Sequence, residues 1–282
     1  MKNGLFVGLA SLDLIYLTAK MPEPNQKIVA LEQNIAAGGP ATNAAVTFNF
    51  LGNQGKLLAM IGNHPISNLI KADLNKYNLE VEDLDKKSLN SPPVSSIIVT
   101  QGTGERAVIS VNATKSQANA AQIPDNILQG MDLILVDGHQ MAVSKHIAQE
   151  AKQKNIPVIM DGGSWKPGFE KVLPLIDYAL CSANFYPPQC HTFEEVFAYL
   201  EKAGIPHIAI TRGEKPIEYR SEGIRGKLEV TQIQAVDTLG AGDIFHGAFC
   251  HYLFDYDFIE ALGAASKIAT RACEFFGSRP QI

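Results

Sequence analysis

Near its C-terminus the chain carries Asp237-Thr238-Leu239-Gly240-Ala241-Gly242-Asp243. The run Thr231 to Val236 reads as a strand leading in, and Ile244 to Phe254 reads as an apolar helix leading out. Gly240, Ala241 and Gly242 then form a small-residue turn at a helix N-terminus. The first backbone N–H groups of a helix have no partners within it, and the macrodipole is positive there. Glycines let an anion come close to those amides. Asp243 adds a carboxylate at the same spot. Amides that hold the charge of a moving phosphoryl, beside a carboxylate that takes a hydroxyl proton, are what phosphoryl transfer to an alcohol needs. The same residues also suit an ordinary strand-to-helix turn with an aspartate cap, and a short Gly-rich turn is a weak signal alone.

A second Gly-rich turn, Ala37-Gly38-Gly39-Pro40-Ala41-Thr42-Asn43-Ala44-Ala45, lies far upstream and also runs into a small-residue helix. Together, in this order and across nearly the whole chain, the two stretches resemble the paired signatures of the ribokinase-like, or PfkB, carbohydrate kinases. The resemblance implies an α/β fold: a three-layer α/β/α sandwich with a mostly parallel central sheet, plus a small β-sheet lid. One domain is expected over residues 1–282, with lid strands drawn from about 14–36 and 94–112. The implied reaction transfers the γ-phosphoryl of Mg·ATP to a primary hydroxyl of a sugar. Asp243 would be the base, and the amides of Gly240, Ala241 and Gly242 the anion hole. Asp13, Gly38, Gly39 and Asn43 would hold the sugar, with Arg106 of the lid approaching the transferred phosphate. An ordinary solvated arginine fits position 106 equally well. Thr211, Arg212 and Gly213 fall where the family's nucleotide loop lies. Ser266 falls where relatives pack against adenine, although a small core residue suits that place too. In many relatives the carbonyl-rich loop around Asp237 and Leu239, with the segment near Gly277, holds potassium; Arg279 is an alternative source of positive charge there.

Three departures from the family pattern stand out. Pro40 follows the glycine pair where many relatives carry a polar residue that touches substrate; proline is comfortable at a helix start but offers no donor. Pro187 stands where the family often has a glutamate three residues after Asn184, so magnesium is expected mainly on ATP oxygens and water. Asp161 reads as either an outer partner of that ion or a structural strand-end residue. The segments Gly38–Ala41 and Asp243–Ala248 look like those of sulfofructose kinases, with ketohexokinase similarity near the C-terminus. They favour a ketose or an anionic ketose derivative. The alternatives are a nucleoside kinase and a non-catalytic sugar- or nucleotide-binding relative. Gly8-Leu9-Ala10 lacks the glycine pattern of a dinucleotide fold, and no G-x-x-x-x-G-K-[ST] run is present.

Composition agrees with a large α/β protein. The 282 residues are 46% hydrophobic with a net charge of −5, which gives no bulk attraction to nucleic acid or anionic membranes. No apolar run is long enough to span a bilayer, the N-terminus shows no cleavage pattern, and the four cysteines lack C-x-x-C spacing. These features lead to the expectation of a cytoplasmic protein. The apolar run Leu5 to Ala10 predicts a strand with Asp13 beyond its end. Strands are predicted over Leu14–Leu17, Lys27–Ile35, Val94–Thr100 and Arg106–Val111 with no helices between them, which excludes them from a βαβ sheet. They resemble the family's lid, which often forms a homodimer contact. From Leu133 onward strands and helices alternate, predicting a parallel sheet covered on both faces. Phe169 to Leu175 reads as helical, and Phe258 to Phe276 as the last long helix. His64 reads as a loop residue, and His246 as a helix-face residue without metal spacing to any partner.

Overall fold

The computed structural model describes residues 1–111, 113 and 116–279. Strands β1 (Asn3–Gly8), β2 (Ser11–Thr18) and β3 (Glu32–Gly38) open the chain, followed by α1 (Pro40–Phe50), β4 (Gln54–Ala59), α2 (Pro65–Asn75) and β5 (Glu80–Asp83). The hairpin β6 (Val94–Thr100) and β7 (Arg106–Ser110) comes next. Then β8 (Leu133–Val136), α3 (Met141–Gln153), β9 (Val158–Gly162), β10 (Tyr178–Ser182), α4 (Phe193–Lys202) and β11 (His207–Arg212) alternate. The chain ends with β12 (Lys215–Ser221), β13 (Ile224–Leu228), α5 (Ala241–Tyr252) and α6 (Phe258–Ala272).

The central sheet runs β13-β12-β11-β10-β9-β8-β1-β4-β5, parallel from β5 to β11 and antiparallel through β12 and β13. Strand β8 is buried at every residue, as a parallel strand covered on both faces must be. Helices α3 and α4 pack on one face through Val143, Ile147, Val196 and Phe197. Helices α1, α2, α5 and α6 cover the other through Phe48, Ile70, Phe249 and Leu262. The result is the expected three-layer arrangement. Helix α1 is buried from Ala41 to Phe48, not along one stripe, because it lies between the sheet and α5. Its small residues allow that approach: a Cβ on Gly247 of α5 would run into the Ala44 carbonyl oxygen.

The second sheet has the order β3-β2-β6-β7, with β2 and β6 parallel. Its inner cluster of Ile15, Leu17, Ile97 and Val99 packs against Leu239 and Phe276, which ties the lid to the Gly240 turn.

Several elements differ from their predicted extents. No strand forms over Thr231–Val236. The N–H groups of Val236 and Asp237 donate instead to the Cys273 carbonyl beyond α6 (2.8 and 3.2 Å), and the β12–β13 hairpin already closes that edge of the sheet. The strand expected over Lys27–Ile35 forms later as β3, because its register on β2 pairs Gly38 with Ser11 and Glu32 with Leu17. Asp13 lies beyond the end of β1, as expected, and there it is already part of β2. Phe169–Leu175 makes two short 3₁₀ turns, since Pro174 has no N–H to continue a helix. Helix α6 ends at Ala272. Strands β5 and β13 escaped prediction because both are short and charged, as edge strands tend to be.

Candidate active site

The chain first builds β1, β4 and β5 to one side and later β8 to β11 to the other. That reversal puts a crevice beyond the carboxyl ends of β1 and β8, where open α/β sheets bind ligands. A cavity of about 560 Å³ occupies this place. Its floor includes Ser11, Asp13, Gly39 and Asn43. The lid contributes Ser95, Ile97 and Val108, the loops after β8 and β9 contribute His139 and Ser164–Pro167, and the α5 turn contributes Leu239, Gly240 and Asp243. The predicted residues Asp13, Gly39, Asn43, Leu239, Gly240 and Asp243 thus converge from three separate segments: β2, the start of α1 and the turn into α5. Gly38 stands behind the floor, where a Cβ would collide with the Asp13 carboxyl.

The α5 terminus has the geometry of an anion site. Gly240 caps the helix at φ 72°, a left-handed conformation that favours glycine. A Cβ added at Gly242 would meet nothing within 4 Å, so the first turn faces open space. Asp243 sits in that turn. Its carboxyl is pushed up to about 7, first by burial and then by the nearby Asp161 and Asp13 charges; a bond from Asn43 and the proximity of His246 oppose the rise. The side chain still opens partly to the cavity. A carboxyl that titrates near neutrality in a cleft is suited to accept a proton.

Asn43 Nδ2 donates to Asp243 Oδ2 at 2.7 Å, and Arg279 Nη1 donates to Asn43 Oδ1 at 2.7 Å. A guanidinium has donors only. Arg279 therefore fixes which end of the Asn43 amide is oxygen and turns the NH₂ toward Asp243. Arg279 is itself buried. Its Nη2 donates to Asp73 Oδ2 and to the Ala37 carbonyl, both at 2.5 Å. Burial opposes the Asp73 charge, but the guanidinium holds that carboxyl below its usual range. The expectation that Arg279 supplies charge at the potassium position is corrected here, because its charge is spent on Asp73 on the far side of Asn43.

Asp161 lies near the carboxyl end of β9 and its charge reaches Asp243. Its Oδ2 lies 3.4 Å from His246 Nδ1, and the two ring nitrogens of His246 lie 2.6 Å from the Gly242 carbonyl and 3.1 Å from that of Leu180. Burial, followed by the neighbouring Asp137 charge, raises the Asp161 carboxyl, with His246 opposing. Asp13 is also raised by burial, against bonds from Ser95 and Ser11. Asp137 behaves oppositely. Burial works against its charge, yet His139 and the Leu9 amide hold it at about 2. Its oxygens accept from the N–H groups of Leu9, Ala41 and His139, so it staples its own loop after β8 to the β1–β2 link and to the start of α1.

Outside the cavity floor, Arg106 reaches from the lid to the turn, with Nη1 donating to Thr238 Oγ1 at 2.6 Å. Both Asp237 oxygens accept backbone N–H groups, from Leu239 (2.8 Å) and Gly277 (3.0 Å). That carboxylate clamps the turn to the C-terminal segment. Thr211 and Gly213 stand where β11 turns into β12, with Gly213 at φ 63°. Arg212 between them folds back onto the Pro216 carbonyl and Glu218, which neutralises it within its own hairpin. Ser266 lies on the buried face of α6. His64 caps α2, its Nδ1 accepting from the Ile66 N–H. Asn184 is exposed beyond β10.

Sequence reasoning passed over His139, Ser164, Trp165 and Lys166. The only signal was position: they follow β8 and β9, the strands beside β1 at the crevice.

A model of the pfkB family carbohydrate kinases matches residues 1–281. The deoxyribokinase of Salmonella typhi is 23% identical over 271 residues, covering 90% of this chain and 87% of that protein. Ribokinase from Thermotoga maritima superposes with a TM-score of 0.80 at 22% identity, over 98% of this chain and 94% of the other. Arabidopsis thaliana ribokinase complexed with ribose and ATP also gives 0.80, at 20% identity, over 99% and 95%.

Proposed function

Since the chain belongs to the pfkB family of ATP-dependent carbohydrate kinases, we propose that it phosphorylates a primary hydroxyl of a ketose or of an anionic ketose derivative. The observation that carries the chemistry is Asp243: a carboxyl near neutrality in the first turn of α5, at the end of the cavity. It takes the proton of the acceptor hydroxyl as the oxygen attacks the γ-phosphorus. The Gly240, Ala241 and Gly242 amides hold the charge on the moving phosphoryl group. Asp13 and Asn43 orient the sugar hydroxyls with Gly38 and Gly39 behind them, and Arg106, beside Thr238, supports the phosphoryl from the lid. The nucleotide lies along Thr211–Gly213 toward α6 and Ser266.

Magnesium neutralises phosphate oxygens of the nucleotide. Its ligands would come mainly from nucleotide oxygens and water, since Pro187 stands where the family often has a glutamate. Potassium is proposed beside the turn on the carbonyls of Asp237 and Leu239, near the Ser278 hydroxyl, which is buried without a partner beside Gly240. A homodimer through the lid is proposed from its exposed apolar residues Val29, Leu31, Ile35, Ile109 and Val111.

The test is ADP release from ATP with ketoses, pentoses, their anionic derivatives and nucleosides. Turnover with a ketose or an anionic ketose, abolished in Asp243→Asn, is the expected result. Turnover with nucleosides alone would overturn the acceptor assignment, and no turnover with any acceptor would overturn the kinase reading.

A further inference from the structure

The loop Ser164–Pro167 leaves the carboxyl end of β9 and lines the cavity with Trp165 and Lys166. It is firmly held. Trp165 packs against Phe169, Phe185 and Tyr199, with ring centroids 5.7 to 5.8 Å away. Lys166 is half-buried on this support. Its Nζ lies 3.3 Å from the Ser164 carbonyl and 3.5 Å from that of Asp137, and 5.8 Å above the Phe169 ring. Among the described residues no carboxylate forms an ion pair with it. The acids nearby are committed elsewhere: Asp137 to backbone amides and His139, and Asp161 to His246.

An ammonium group carries three donors. Here two point at long carbonyl contacts, and the buried Asp137 and Asp161 feel the charge only from beyond ion-pair distance, although the side chain is partly withdrawn from water. Neutral sugar hydroxyls do not require a full positive charge, and Asp13, Asn43, Ser11 and Ser95 already offer acceptors and donors for them. A fixed cation in a cavity that otherwise holds two carboxylates is complementary to a ligand with a negative group of its own. In the sheet, β9 is separated from β1 by β8. Strands are about 4.8 Å apart, so the Lys166 loop is displaced roughly 10 Å along the edge from the Asp13 side. That offset is comparable to the length of a hexose chain.

We infer that Lys166 is the anion-reading residue of the acceptor site, and that the acceptor is a sugar bearing a phosphate, sulfonate or carboxylate group away from the hydroxyl that is phosphorylated. This rests on the kinase reading, but it also predicts binding without catalysis.

The experiment has two arms, using fructose, fructose 6-phosphate, 6-deoxy-6-sulfofructose and 2-keto-3-deoxygluconate as probes. In the first, thermal shift without ATP compares the probes on wild type, Lys166→Met and Lys166→Arg. Methionine keeps the apolar stem, and arginine keeps the charge and controls for folding. At least one anionic probe should stabilise wild type and Lys166→Arg more than fructose does, and this advantage should vanish in Lys166→Met. In the second, kcat/KM for the anionic probe over that for fructose should be at least roughly thirtyfold in wild type. It should fall to within about threefold of unity in Lys166→Met, mainly through KM, as expected for a lost charge-assisted contact. Equal binding of fructose and every anionic probe, or a preference that survives in Lys166→Met, would overturn the assignment. Anion-selective binding without turnover would keep this subsite and sink the kinase reading instead. The identity of the favoured anionic probe separates phosphate, sulfonate and carboxylate.

Discussion

Replacing Asp161 by Asn should lower the pH at which the enzyme switches on. Asp161 does not line the acceptor cavity, but its charge is the second cause, after burial, of the raised Asp243 carboxyl. Asp161 Oδ2 is 3.4 Å from His246 Nδ1, and His246 stands three residues after Asp243 on α5, a spacing of about 5–6 Å. That path puts the two carboxyls on the order of 9 Å apart. Like charges at that distance in an effective dielectric of ~20 repel by about 1.8 kcal/mol, or about 1.3 pK units. Cavity water reduces the expected shift to about one unit. The base form is the active form, so kcat/KM rises with pH as Asp243 ionises. With the carboxyl near 7, about a tenth is ionised at pH 6; with it near 6, about half would be. Relative to its own plateau, activity at pH 6 should thus rise about fivefold in Asp161→Asn, while the weaker base lowers the plateau severalfold at most. The assay is kcat/KM from pH 5 to 9 at fixed ionic strength. Because the two carboxyls titrate as a pair, the whole acid limb is compared, not a single residue's value. An acid limb that stays in place, or moves to higher pH, would refute the coupling.

Asp243→Asn should cut turnover at least roughly a hundredfold, which steady-state rates would check. The same change should stabilise the fold at pH 8 and not at pH 4. A carboxyl whose pKa is raised from 3.8 to about 7 on folding makes the fold less stable as pH climbs through that window. After discounting for its opening to the cavity the gain is about 1–2 kcal/mol, visible as a melting temperature higher by a few degrees. Arg279→Met should leave Asp73 buried without its partner and free the Asn43 amide to flip. It should cost about 3–5 kcal/mol of stability and move the acid limb to higher pH; denaturant titration with a pH profile tests both. Ile109→Lys should turn a lid-mediated dimer into monomer by sedimentation at micromolar concentration, and a wild-type monomer there would remove the dimer. Replacing potassium stepwise by tetramethylammonium should lower the initial rate modestly through lost preorganisation, and a flat response would leave the turn to the protein's own clamp at Asp237.

Two turns of small residues, each entering a helix, made the family and the Asp243 chemistry legible in the sequence, because glycine spacing and a first-turn carboxylate are local properties of the chain. The parallel core was legible for the same reason: Leu133–Val136 and its neighbours are apolar runs between helical stretches, whatever surrounds them. The strand expected over Thr231–Val236 was not, because its alternation is real but its backbone is captured by the end of α6. The site's electrostatics also arose only in three dimensions. Asp161 and Asp243 lie 82 positions apart in the sequence, and Asn43 meets Asp243 and Arg279 only because α1 and α5 pack closely at Gly247. Arg279 looked like a free charge near a turn, and the fold assigned it to Asp73. Nothing in the sequence marked Lys166; the order of β1, β8 and β9 put its loop on the cavity wall. Local spacing specifies which groups a segment can offer. Which of those groups are desolvated, paired or left beyond ion-pair distance depends on distances between segments, and those are set by the sheet order and the close approach of the helices.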